Sequence, residues 1–286
     1  MFALARRRLA IALIHHRAPT SALFSVLAPV LALFFGLVLP ATSRPVIKLL
    51  PWLKVVKIGG HSIMDRGRDA ILPVVEELAE AFGDHKLLIT TGAGIRGRHV
   101  YSVGLDLGLP TGVLAALAAT DAEKNGHILA ALLAEHGVVY LPHASVAHHL
   151  PVFLSAAPAV VANAYPPYHL YEFPPAIGRI PPHRSDTGPL LLADAYGAAR
   201  LVYIDDVDGI YTADPKDDPS AELIPRIGAR ELTARGLKTL PIDRIVLQIL
   251  GSAKHIKEIQ IVNGLKRGNI SKALAGDHVG TIVHAD

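Results

Sequence analysis

A β-branched run enters Lys-Ile-Gly-Gly and an amphipathic stretch leaves it: "VVKIGGHSIMDRGRDAILPVVEEL", Val55 to Leu78. The continuous apolar run Leu53–Ile58 reads as a buried strand. Ile71, Val74, Val75, Leu78, Ala79 and Phe82 then recur at helical spacing. The alternation continues. Lys86–Thr90 reads as a second strand, and Val113–His136 as a long helix. Val138–Leu141 and Ala159–Ala162 read as strands, Leu190–Tyr196 as a helix and Leu201–Ile204 as a strand. A helix from about Ile242 to His255 and strands at Ile259–Val262 and Gly280–Val283 close the chain. Strands alternating with helices predict an α/β fold: a doubly wound, mostly parallel sheet sandwiched by helices. Ligands of such sheets sit at the carboxyl ends of the strands.

Residues 1–45 do not share this pattern. Between Arg17 and Arg44 there is no charge, and roughly Ala22 to Ala41 is long enough to span a bilayer. Arg6, Arg7, Arg8 and Arg17 lie on its N-terminal side, as in a signal or a cytoplasmic-in anchor. Pro29, Gly36 and Pro40 interrupt it. A misread start site is the other explanation. The expected organisation is therefore an apolar extension, 1–45, and a nucleotide-binding domain, 46–286, placed in the cytoplasm where ATP is. A membrane role follows only if the extension is native.

Composition excludes several chemistries. There is no cysteine, so disulfides, thiolate metal sites and cysteine nucleophiles are ruled out. The formal charge is +3 and basic residues form no long run beyond Arg6–Arg8, which argues against nucleic-acid binding. The 15 histidines permit anion or metal contacts tuned near neutral pH.

Three short motifs suit phosphate. In Lys57-Ile58-Gly59-Gly60 the glycines admit close approach of an anion to the backbone, and Lys57 adds a point charge for terminal phosphate oxygens. The helix that follows is expected to aim its N-terminus there. Neither the GxxxxGK[ST] nor the GxGxxG spacing is present, so a tight turn with a surface lysine is the plain alternative. Gly92-Ala93-Gly94 repeats the device after the second strand, with Arg96, Arg98 and His99 beyond it. Ser185-Asp186-Thr187-Gly188 precedes an apolar helix. Asp186 is either that helix's N-cap or a carboxylate that orients Lys57 or a magnesium ion.

"VDGIYTADP", within Tyr203–Pro219, carries the most specific signal. Gly209 permits a turn, Tyr211 offers a flat face and Pro215 ends the segment. The stretch resembles the nucleotide-binding segment of the amino acid kinase superfamily, bacterial UMP kinases in particular. "KIGG", "GAG", "SDTG" and "IVNGLKRGN…GDHVGTIV" fall in that family's order, and the likeness runs from about Leu50 to the end. The resemblance implies that Asp208, Gly209 and Tyr211 pack on adenine and ribose while Asp214 and Pro215 close over them. It places Lys57, Gly59, Gly60, Gly92 and Gly94 at the phosphates and gives Lys57 and Asp186 the catalytic roles.

"LLPWLKVVKIGG", "HVYSVGLDLGLP", "NGHILAALLAEHG", "PPYH" and "RIPPHR" narrow the likeness to the molybdenum storage branch, its alpha-type subunit most of all. That branch binds ATP and Mg2+ and packs molybdate or tungstate oxide clusters in a hexameric cage. Asp205 aligns with its magnesium ligand and His169 with its cluster-contacting histidine. The resemblance implies partners: ATP, molybdate or tungstate, a hexameric assembly and a homologous beta-type subunit. Two departures stand out. The histidine run reads His169-Leu170-Tyr171, and Pro142 occupies an acidic position, although His143, His148 and His149 lie near it. UMP kinases usually carry lysine where Asp206 stands, yet Asp121 and Glu123 remain candidates for an acceptor ribose. The leading expectation is an ATP-binding polyoxometalate storage subunit with ATP-dependent loading. The alternatives are a UMP kinase or related phosphotransferase, and a silent structural subunit.

Overall fold

Parallel pairing organises the sheet. The computed structural model describes residues 46–166 and 179–286, and Ile47–Asp286 forms one compact unit. Its strands are β1 (Leu53–Ile58), β2 (Lys86–Thr91), β3 (Val139–Tyr140), β4 (Ala159–Asn163) and β5 (Arg200–Asp205), then β6 (Ile210–Tyr211), β7 (Leu223–Ile224), β8 (Arg226–Gly228), β9 (Glu258–Asn263) and β10 (Thr281–His284). The main sheet has the order β3-β4-β2-β1-β5-β9-β10-β8, and β6 with β7 forms a separate antiparallel ribbon. Within the main sheet only β9 and β10 pair antiparallel. The fold is the expected mostly parallel sheet with helices on both faces.

Period-two alternation divides the core into two layers. Leu53 and Val55 of β1, Leu88 of β2 and Leu201 and Tyr203 of β5 face one layer. Val56, Ile58, Leu87, Ile89, Val202 and Ile204 face the other. Helices α1 (Arg68–Glu80) and α3 (Thr111–Leu132) cover the second layer through Val74, Leu78 and Leu129. Helices α4 (His143–Ala156) and α5 (Thr187–Tyr196) cover the first through Leu150, Leu154, Leu190 and Ala193. A strand buried on both faces has to be apolar at nearly every position, which is why β1, β2 and β5 are legible as continuous runs.

Several helices depart from the expectation. Helix α2 (Gly94–Asp106) begins in the glycine stretch read as a loop. Helix α4 and the short α6 (Ala229–Arg235) and α8 (Asn269–Ala275) were not foreseen, and α7 (Arg244–Ser252) is shorter than expected. Glycines inside α2 mask helical propensity. They are tolerated because neighbours pack directly on them, Leu114 lying against Gly104. No helix among the described residues is long and apolar enough to cross a membrane. The apolar stretch within 1–45 lies outside the described residues.

The register fixes what the cleft receives. Lys57 is opposite Thr90 on one side and Tyr203 on the other. The buried Tyr203 hydroxyl donates to the Asp186 carbonyl at 2.7 Å and so ties the loop before α5 to the middle of the sheet. Tyr203→Phe should destabilise the fold by about 1–2 kcal/mol, because a buried carbonyl loses its donor. Urea denaturation checks this; an unchanged midpoint would show that the bond contributes nothing.

Candidate functional site

The carboxyl ends of β1, β2 and β5 open on a cleft of about 490 Å³. Its floor is an ion pair: Lys57 Nζ lies 2.7 Å from Asp186 Oδ1, and both side chains are buried. Asp186 Oδ2 accepts the backbone N–H of Asp243 at 2.9 Å. Asp243 in turn pairs with the Arg184 guanidinium. Burial works against the Lys57 charge. The carboxylates of Asp186, Asp205 and Asp243 outweigh it and hold the ammonium above its ordinary value.

The other two carboxyls show the reverse balance. Burial pushes Asp205 up to about 6, against the pull of Lys57 and of the Asp206 N–H, which donates to its Oδ1 at 2.8 Å. Burial and the neighbouring Asp186 charge push Asp243 up to about 6, against Arg184 and Lys57. Lys57 thus sits among three acids, one of them paired also with Arg184, and two of the three titrate close to neutrality.

The two glycine loops are pressed together above this floor. A methyl group added at Gly60 would collide with the Gly94 nitrogen and lie 2.7 Å from the Gly92 carbonyl oxygen. Several loop amides are already engaged. Gly59 donates to the Ile204 carbonyl at 2.9 Å and Gly92 to the Ile58 carbonyl at 3.1 Å. The Ile95 amide, at the start of α2, donates to Asp65 Oδ2 at 2.6 Å. The expected helix N-terminus directly after Gly60 is absent. A short turn, Met64–Arg66, intervenes, and the amides of Ile63, Met64 and Asp65 fold back on the Gly59 and Gly60 carbonyls. These glycines therefore contribute close backbone packing rather than free amides, and Lys57 is the buried cation beneath them.

Lys57, Gly59, Gly60, Gly92, Gly94, Asp186, Asp205, Gly209, Tyr211, Asp214 and Pro215 all line the cleft. Asp208 does not. It lies behind the Gly209 turn, where Lys266 and Asn263 bind it and the Lys266 ammonium holds its carboxyl low. His169 falls in 167–178, outside the described residues. His148 and His149 are exposed on α4 and line no part of the cleft. Asp121 pairs with Lys124 at 2.9 Å and Glu123 approaches His127 at 3.7 Å; neither lines the cleft. Asp206 pairs with Arg66 at 2.7 Å. Arg96 is turned to Asn125, whose amide holds the Gly92 carbonyl at 2.7 Å. Arg184 and Asp243 escaped sequence reasoning because they lie 59 positions apart and nothing in "RIPPHR" points to so distant a partner.

This architecture, with a buried lysine and paired glycine loops at adjacent strand tips, defines an α/β protein of the kinase-type fold. The chain belongs to the amino acid kinase family, whose model matches residues 52–263. It is 47% identical over 238 residues to the molybdenum storage protein subunit beta of Azotobacter vinelandii, covering 83% of this chain and 88% of that one. The likeness expected to the storage branch is met, here with a subunit named beta. A uridylate kinase from Methanothrix thermoacetophila is 25% identical over 239 residues, covering 81% of this chain and 99% of that one. The crystal structure of the Archaeoglobus fulgidus uridylate kinase superposes with a TM-score of 0.63 at 21% identity, over 83% of this chain and all of that one, and so shares the fold.

Two outcomes test the site. Gly60→Ala must separate the loops and should cost about 1–3 kcal/mol of stability together with ligand affinity; thermal melting and calorimetry measure both. The carboxyls give a pH signature. Their folded values near 6 exceed the ordinary 3.8, so the folded chain binds more protons than the unfolded chain between those values. Their ionisation opposes folding above about 6, and the penalty is relieved as pH falls toward 4. Carboxyl-carbon NMR should find both midpoints near 6; midpoints near 4 would refute the arrangement.

Proposed function

We propose that this chain is an ATP-binding subunit of a molybdenum storage assembly, in which ATP drives loading of molybdate or tungstate into an oligomeric cage. The observation that carries the reading is the breadth of the likeness: 47% identity to a storage subunit holds over 88% of that subunit's length, against 25% for the uridylate kinase over a similar span. The cleft supports the ATP half of the reading, since a buried ammonium under close-packed backbone suits a terminal phosphate.

In this reading Lys57 holds the β- and γ-phosphates and Asp186 fixes its position. Gly60, Gly92 and Gly94 let the phosphates approach the backbone. Tyr211, Asp214 and Pro215 border the nucleoside end. Asp205 suits a magnesium ion: it is one carboxylate at a strand tip, and magnesium takes one or two carboxylates and completes its shell with phosphate oxygens and water. Among the described residues no group of three or more His, Asp or Glu is set to hold a metal unaided, which fits a cation that arrives with the nucleotide. The ion would neutralise phosphate charge. A hexamer with a second, homologous subunit, cluster contacts from His169 and a cytoplasmic setting for domain 46–286 complete the proposal.

The test combines metal analysis with calorimetry. Protein from cells grown on molybdate should carry molybdenum and bind magnesium-ATP. Lys57→Ala should weaken ATP by roughly tenfold to 100-fold through loss of a charge-assisted contact. Metal-free protein that forms ADP only when UMP is added would instead establish a nucleotide kinase.

A further inference from the structure

A second cavity, of about 260 Å³, opens at the opposite edge of the sheet. Asp205, at the carboxyl end of β5, lines the cleft, whereas Arg200, at its amino end, lines this cavity. Six residues of strand put roughly 16 Å between them. The ionisable lining is Lys48, Arg200, Lys257, His255 and Glu258. The one carboxylate among them, Glu258, is already paired with Arg226.

The basic side chains are unequally satisfied. Lys257 donates to the Ala253 carbonyl at the end of α7, and the His255 ring nitrogen Nδ1 meets the Asp194 carbonyl at 2.6 Å. Such contacts at a helix carboxyl end account for a lysine or a histidine. Arg200 has no such account. It is half-buried and has neither a hydrogen bond nor an ion pair among the described residues. Its guanidinium lies against Gly276, where any added side chain would displace it. Lys54 stands near it, and its ammonium is held below the ordinary value by burial and by the Arg200 charge. Lys54 has partners of its own in the Leu274 carbonyl and His85. A half-buried guanidinium with five donors and no protein acceptor is free to grip an anion.

We propose that this cavity binds a small tetrahedral oxyanion of the phosphate class, held by Arg200 with Lys257 and Lys48 at its rim. The volume falls below the 300–1,000 Å³ usual for drug-sized ligands, which favours a free inorganic oxyanion over the phosphate group of a nucleotide. The site is separate from the ATP cleft and stands whether or not the storage reading holds.

Calorimetry with inorganic phosphate on the full chain at low ionic strength tests it. Saturable binding is expected. The Arg200→Gln/Lys257→Gln double variant should weaken it at least roughly tenfold with melting temperature unchanged, while Lys57→Ala leaves a phosphate-binding event in place. If the double variant fails to fold, Lys48→Gln, an exposed single change, should still weaken binding about threefold. No saturable heat, indifference to the Arg200, Lys257 and Lys48 changes, or complete loss on Lys57→Ala would overturn the site. Tighter binding of adenosine monophosphate than of phosphate, lost in the double variant, would overturn the choice of a free oxyanion.

Discussion

The buried pair Lys57–Asp186 is the contact on which the arrangement of this protein depends. Removing an ammonium and a carboxylate from water is expensive, and their 2.7 Å contact offsets that cost. Asp186 is fixed three ways: by the ammonium, by the Asp243 N–H, and through its carbonyl by Tyr203 in the centre of the sheet. The result is a cation held rigidly at the tip of a buried strand, with an excess of carboxylate around it. That excess gives the ammonium a firm charge, while burial leaves Asp205 and Asp243 poised near neutrality.

Around this pair the backbone does less electrostatic work than glycine-rich loops suggest. Gly59 and Gly92 give their amides to the sheet, and Asp65 occupies the Ile95 amide at the start of α2. The loops instead contribute shape. Gly60 sits so close to the Gly92–Gly94 backbone that nothing larger fits, and the two strand tips behave as one rigid lip. Rigidity in such a lip favours binding because little conformational entropy remains to be lost when a ligand arrives.

A shared fold does not settle chemistry. The chain is 47% identical to a storage subunit and 25% identical to a uridylate kinase, and both likenesses span most of its length. Asp121 and Glu123, the candidates for an acceptor ribose, lie away from the cleft, and Asp206, which stands where UMP kinases usually carry lysine, lines the cleft and pairs with Arg66. The proposed cluster-contacting His169 falls in 167–178, outside the described residues, so the storage reading rests on the likeness and on the cleft.

Strands β1 to β5, β9 and β10 and their mostly parallel pairing were legible in the sequence, whereas β6, β7 and β8 were not. A strand buried on both faces has to be an apolar run, and a cleft at strand ends collects whatever polar residues interrupt such runs. Helix α2 was not legible, because its glycines read as a loop until Leu114 is seen packed upon Gly104. The partnership of Arg184 and Asp243, the retreat of Asp208 behind the Gly209 turn and the engagement of the Gly59 and Gly92 amides were decided by the tertiary structure alone. Local patterns are set by burial, which repeats along the chain with a fixed period. Charge partners are set by proximity between segments far apart in sequence, and no period records that.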